Sequence, residues 1–133
     1  KWTMSLQTYF KEQTGIGVLS TADQEGHVNA AVYARPHCFD DGTVGFIMAD
    51  RLTHQNLKTN GNAVYLFHQD ASEDEKSRFS GKRIYLKKIR EDNDKKRIDS
   101  LRRRTYGDWR DGRYLVIFEI EKELPLVGTG EVE

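Results

Sequence analysis

Short runs of apolar, β-branched and aromatic residues alternate along the chain with polar turns and with stretches of helical spacing. "GIGVLSTA" (15–22) has an apolar centre and is followed by the turn "DQEG", so it predicts a strand. "HVNAAVYA" (27–34) predicts a second strand. It ends at Arg35-Pro36, because proline holds the preceding residue extended and cannot donate to a ladder. "DDG" at 40–42 is a hairpin signal and introduces a third strand, "TVGFIMA" (43–49). "NAVYLFHQ" (62–69), "GKRIYLKKI" (81–89) and "RYLVIFEIEKE" (113–123) predict three more.

Helical spacing appears in the gaps. Leu6, Tyr9, Phe10 and Gln13 recur at three and four, with Ser5 as cap and Gly15 as stop. Residues 53–59 predict a short helix capped by Thr53 and stopped by "NG" at 60–61. A third is expected from Asn93 as cap to Gly107 as stop, with Ile98, Leu101 and Thr105 on one stripe. Six strands in hairpin-like succession with short helices between them predict a mainly β fold, a six-stranded antiparallel barrel rather than a parallel sheet.

The length, 133 residues, suits one domain spanning 1–133. No apolar run approaches the roughly 20 residues of a membrane helix, and no signal-peptide pattern opens the chain, so no membrane partner is expected. The first residue is Lys1 rather than Met, and the natural N-terminus is expected to lie outside these residues. The single cysteine, Cys38, cannot form an internal disulfide, fits a reducing cytoplasm and reads as packing rather than nucleophile. Formal charge is zero, yet residues 70–108 hold 13 Lys/Arg against 9 Asp/Glu. Within them the acids interleave with the bases and aromatics are few, Tyr85 and Tyr106, as on a solvated helix rather than a nucleic-acid groove. Trp109, in the turn-rich "YGDWRDG", is expected to pack under the barrel.

"ADRLTHQNLKTNG" (49–61) concentrates chemistry. Arg51, Thr53, His54 and Asn56 crowd the exit of the third strand at a helix start, where unpaired N–H groups and a forked guanidinium could hold an anion. A capped and solvated turn accounts for the same residues. His27, His37, His54 and His68 have neither i,i+4 pairing nor an HExxH pattern, so no metal is expected. No nucleophile elbow, Walker loop or dinucleotide fingerprint occurs.

The order of these pieces over residues 17–67, "GVLSTADQEGHVNAAVYARPHCFDDGTVGFIMADRLTHQNLKTNGNAVYLF", resembles the FMN-binding split barrel of the pyridoxamine 5'-phosphate oxidase-related family. Strand, DxxG turn, strand, DG hairpin, strand, polar corner, short helix, N-x-N and strand all follow in sequence, and the later strands continue the pattern more loosely. The resemblance implies a homodimer with the flavin at the subunit interface. Val32, Tyr33, Ala34, Arg35 and Pro36, with Phe46, Ile47 and Met48, would flank the ring and ribityl chain. Arg51, Thr53 and His54 would face the phosphate, braced by Asn56, and Lys82 or Arg83 would reach the cofactor from the partner subunit.

Departures from the oxidase proper are specific. Its Arg-Lys pair in the corner corresponds here to Leu52 and Thr53, its second-strand Arg to Ala31 and a nearby Lys to Pro36. Its C-terminal substrate motif has no counterpart in "EIEKELPLVGTGEVE". The resemblance therefore implies an FMN-dependent oxidoreductase or electron carrier served by a small-molecule donor or acceptor, not the oxidase itself. His37 and His54 are its candidate acid–base groups. A flavin or small-molecule sensor without turnover, and a nucleic-acid-binding barrel, are the alternatives.

Overall fold

The alternating runs become strands of one antiparallel sheet. The computed structural model describes residues 5–71, 79–102 and 112–129. The elements in order are α1 (Leu6–Glu12), β1 (Gly15–Ala22), β2 (Val28–Val32), β3 (His37–Cys38), β4 (Val44–Ala49), α2 (Leu52–Thr59), β5 (Asn62–Gln69), β6 (Gly81–Asp92), α3 (Lys95–Leu101) and β7 (Arg113–Pro125). The strands lie in the order β2-β1-β5-β6-β7-β4-β3. Seven strands replace the six expected, because Pro36 releases the chain into a two-residue strand on β4, with His37 opposite Gly45 and Cys38 opposite Val44. Thr105, Tyr106, Gly107 and Trp109, and most of the polar loop after Asp70, lie outside the described residues.

Period-two alternation decides which side chains enter the barrel. Leu19 of β1, Tyr65 and Phe67 of β5, Ile84 and Leu86 of β6, Phe118 of β7 and Phe46 of β4 meet in one core, closed by Tyr9 and Phe10 of α1 and Leu57 of α2. The rings meet mostly edge to face, Phe10 against Phe67 at 5.3 Å and Phe46 against Phe118 at 5.9 Å. β7 is buried on both sides, since Leu115 and Ile117 face outward onto Ile98 of α3. That double burial explains its unbroken apolar run.

The helix ends differ from expectation in detail. Ser5 caps α1 as predicted, accepting from the Thr8 N–H at 3.2 Å, but the helix stops at Gln13 rather than Gly15. Asp94, not Asn93, caps α3, its carboxylate accepting from the Lys96 N–H. α2 starts one residue earlier than expected, so Arg51 takes the cap position and Thr53 sits inside the first turn. Thr53 is therefore not the cap, and its hydroxyl is turned toward β2, where it accepts from the Asn29 amide at 3.3 Å. Among the described residues no helix is long and apolar enough to cross a membrane.

α2 is clasped to the sheet by His54. Its ring is fully buried and stacks on Tyr114 of β7 at 4.2 Å. Nδ1 lies 2.7 Å from Asp50 Oδ1, and Nε2 lies 3.0 Å from Glu91 Oε1. Both ring nitrogens are thus engaged by carboxylate oxygens. A register shift between Lys88 and Arg90 of β6 turns Glu91 toward the ring, and Lys88 holds the same carboxylate at 2.6 Å. Burial pushes the Glu91 carboxyl up, but the hydrogen bonds from Lys88 and His54 prevail and hold it below the ordinary 4.5. The His54 hydrogen bond likewise draws Asp50 below 3.8. Asn56 adds a second tie, its amide donating to the Thr21 hydroxyl at 3.1 Å.

Two outcomes follow for stability. A Cβ on Gly17 would fall on the ring and hydroxyl of Tyr65, which donates to the Tyr33 carbonyl at 3.0 Å across that gap. Gly17→Ala should cost about 1–3 kcal/mol in urea unfolding, and an unchanged midpoint would refute the close approach. Because Glu91 is held below its unfolded value, its contribution is complete above about pH 4.5 and is lost as acid protonates the folded carboxyl. The stability gap between wild type and Glu91→Gln should therefore be widest near pH 6 and shrink below about pH 4.5. A gap constant down to pH 3 would sink the clasp.

Candidate functional site

The sheet does not close on itself. β2 pairs with β1 alone, and β3 covers β4 only at Val44 and Gly45, so the stretch 46–49 has no strand on that edge among the described residues. Antiparallel strands turn the peptide groups of alternate residues to opposite edges. The Tyr33 N–H points to the Gly17 carbonyl of β1, so the N–H and C=O of Val32 point the other way. By the same alternation from the Phe39–Thr43 hydrogen bond, the peptide groups of Ile47 face the open edge of β4.

Between these two edges runs a cleft of about 640 Å³ lined by Ile16, Val32, Tyr33, Ala34, Phe46 and Ile47, with Arg35, His37 and Arg102 at its rim. Six of the residues expected to flank a ring are thus brought together: Val32, Tyr33, Ala34, Arg35, Phe46 and Ile47. Beneath the cleft the Tyr33 ring meets the core ring of Phe46 edge to face at 5.9 Å. Met48 is a core residue with its side chain inside the barrel. Pro36 lines a neighbouring hollow of about 370 Å³ with Phe10 and Leu101. The Arg35 guanidinium is turned away from the cleft to the end of α1, donating to the carbonyls of Phe10 at 2.7 Å and Gln13 at 2.8 Å, where a cation complements the helix dipole.

A polar corner stands where β4 runs into α2. Arg51 is exposed and its side chain makes no capping bond. The Tyr33 phenol reaches this corner and is hydrogen-bonded to Thr53. Burial raises the phenol above its ordinary 10.0, while the Thr53 hydrogen bond and the charges of Arg51 and Arg113 oppose the rise. Asn56 is turned to β1, where its amide donates to the Thr21 hydroxyl. His54 stands differently from expectation: both ring nitrogens are engaged by Asp50 and Glu91, so it supports the corner from within the fold and has no ring N–H left for an anion.

Lys82 and Arg83 are likewise engaged inside this chain. Lys82 Nζ lies 2.7 Å from Glu123 Oε1 and 4.7 Å from the centre of the Tyr9 ring. Arg83 donates to the carbonyls of Pro125, at 2.9 Å, and Gly128. Asp23, Glu25 and His27 gather in the β1–β2 turn, where Asp23 accepts the N–H groups of Glu25 and His27, both at 2.9 Å, as a hairpin brace. Sequence reasoning missed Asn29, Glu91, Arg113 and Tyr114 around the corner. Their local patterns are ordinary, and strand pairing alone brings them there.

No family model matches the sequence, and no curated protein matches it. Solved structures match in fold. An FMN-binding protein from Syntrophomonas wolfei superposes with a TM-score of 0.73 at 23% identity, over 92% of this chain and 84% of that one. HupZ from Group A Streptococcus gives 0.70 at 16% identity over the whole of both chains. A candidate flavin reductase with a split barrel domain, from Shewanella frigidimarina, gives 0.56 at 14% identity over 85% of this chain and 67% of that one. At these identities the likeness is one of fold, and the chain adopts the antiparallel split barrel seen in FMN-binding and pyridoxamine 5'-phosphate oxidase-like proteins.

Proposed function

We propose that this chain binds FMN in the cleft between β2 and β4 and acts, as a homodimer, as a flavin-dependent oxidoreductase or electron carrier. The observation that carries the reading is the cleft itself: two strand edges that no described strand covers face each other across an apolar gap, and Tyr33 of its lining reaches toward the corner of Arg51 and Thr53. Its volume falls in the range of small-ligand and cofactor sites. The peptide groups of Val32 and Ile47 are suited to the polar edge of a planar heterocycle, Tyr33 supplies an aromatic wall backed by the core ring of Phe46, and Arg51 with Thr53 suits a phosphate. When bound, FMN supplies hydride and electron transfer, and the chain positions it and sets its electrostatic surroundings. The split-barrel neighbours, one of them an FMN-binding protein, support the same reading.

The outer face of β2, β1 and β5 supports the homodimer. Val28, Val32 and Ile16 are 82%, 74% and 62% exposed, and the register sets Val18 between Val32 and Leu66, making one apolar surface. No described element covers it. An apolar sheet face of near-neutral side chains is self-complementary under a two-fold axis, so a second copy is its fitting occupant. Ile16 and Val32 belong to this face and to the cleft, so a partner seated there would also wall the cofactor site. The rival nucleic-acid reading is weakened because Lys82, Arg83 and Lys88 of the basic run are engaged within the fold.

Purified protein reconstituted with FMN should show a flavin spectrum at about one cofactor per subunit. An Arg51→Ala, Thr53→Ala double variant should bind at least about 10- to 150-fold more weakly, as expected for loss of a charge-assisted hydrogen bond. Equal binding by both proteins would remove the corner from the site. In light scattering the wild type should run at twice 15.4 kDa and Val32→Asp as a monomer, and a monomeric wild type would end the homodimer reading.

A further inference from the structure

We propose that Arg113, the first residue of β7, is the second cation of the corner, and that Arg51 and Arg113 together make it a site for a dianionic phosphate monoester. The proposal rests on the flavin reading for the source of that phosphate, the FMN tail. The oxidase's cationic pair is absent from α2, where Leu52 and Thr53 stand instead. The β4–β7 register returns a cation from elsewhere in the chain: Arg113 lies opposite Ala49, whose carbonyl accepts the Arg51 N–H at 2.9 Å. The two arginines therefore flank the point at which β4 turns into α2.

No described carboxylate pairs with either of them. Among the described residues, neither guanidinium has an ion pair or a side-chain hydrogen bond. The acids near α2 are committed elsewhere, Asp50 to His54 and Lys58, and Glu91 to His54 and Lys88. Arginine stays protonated in proteins, so two like charges act on one phenol with no described carboxylate paired to either. Such a pair is unfavourable by itself and becomes favourable around an anion, most of all one carrying two charges. The guanidinium fork matches the oxygens of a phosphate, and Tyr33 and Thr53 place neutral hydroxyls in the same corner. The two arginine charges both reach the Tyr33 phenol, which burial keeps protonated and so able to donate.

The test compares FMN with riboflavin, which lacks the phosphate, by flavin fluorescence titration of wild type, Arg113→Gln and Arg113→Lys. Arg113→Gln should weaken FMN about 10- to 150-fold and leave riboflavin unchanged. Arg113→Lys, which keeps the charge and loses the fork, should show a smaller drop in the same FMN-to-riboflavin ratio and serves alone if the glutamine variant fails to fold. An unchanged ratio in the folded variants would overturn the proposal, as would equal loss of both ligands. If wild type takes up neither flavin, the flavin reading fails and inorganic phosphate alone decides. A rise in thermal midpoint with phosphate in wild type, absent from Arg113→Gln and reduced in Arg113→Lys, upholds the two-cation corner, and no rise in wild type rejects it.

Discussion

Two strand edges that never meet govern this molecule. A barrel removes its edges by closing, and here β2 and β4 stop short of each other. Their facing peptide groups keep hydrogen-bonding capacity that no described strand satisfies, and peptide groups out of water need partners. The gap is held open by packing. Tyr33 and Phe46 fill its floor, Tyr65 fixes the Tyr33 carbonyl from inside, and Arg35 ties the end of β2 to α1. Gly17 matters for the same reason, since any larger residue would displace the Tyr65 phenol that anchors this edge.

The corner at the end of the gap depends on a division of labour among charges. His54 takes both nearby acids, and Lys58 and Lys88 share them. Carboxylates that could neutralise Arg51 are thereby turned inward or sideways, and the clasp that orients α2 also leaves its first turn electropositive. One ring thus orients α2 and keeps two acids away from its first turn. A histidine that reads in sequence as a ligand donor serves as the mounting for the donors around it.

The fold was largely legible in the sequence because half-buried strands announce themselves by alternation and turns by Gly, Pro, Asn and Asp. The two-residue β3 was missed because its pairing depends on where Pro36 sends the chain, which no local period reveals. At the helix starts the sequence offers several cap formers, and tertiary ties decided among them: Asn29 draws the Thr53 hydroxyl to β2, and α2 begins a residue sooner. In the site, residues chosen by backbone position converged, Val32 to Arg35 with Phe46 and Ile47 along one cleft. Residues chosen by side-chain chemistry fared differently. His54, Lys82 and Arg83 found partners within the chain, because a long polar side chain bonds whatever the fold brings within reach. Arg113 was invisible for the converse reason, since the β4–β7 pairing brings it to Ala49 from far along the chain.

The same pairing logic bears on why cleft and apolar face adjoin. Val32 presents its side chain to the outer face while its peptide groups look into the gap, so one residue serves both surfaces. A strand at the edge of an open sheet invites uncontrolled pairing unless something covers it. A ligand in the cleft would satisfy the edge of β2, and a second subunit would cover its outer face. Either alone leaves Val32 half exposed to the hazard. On this geometry a cofactor and a second subunit would stabilise the same strand, and each would favour the other through β2 rather than through any distant relay.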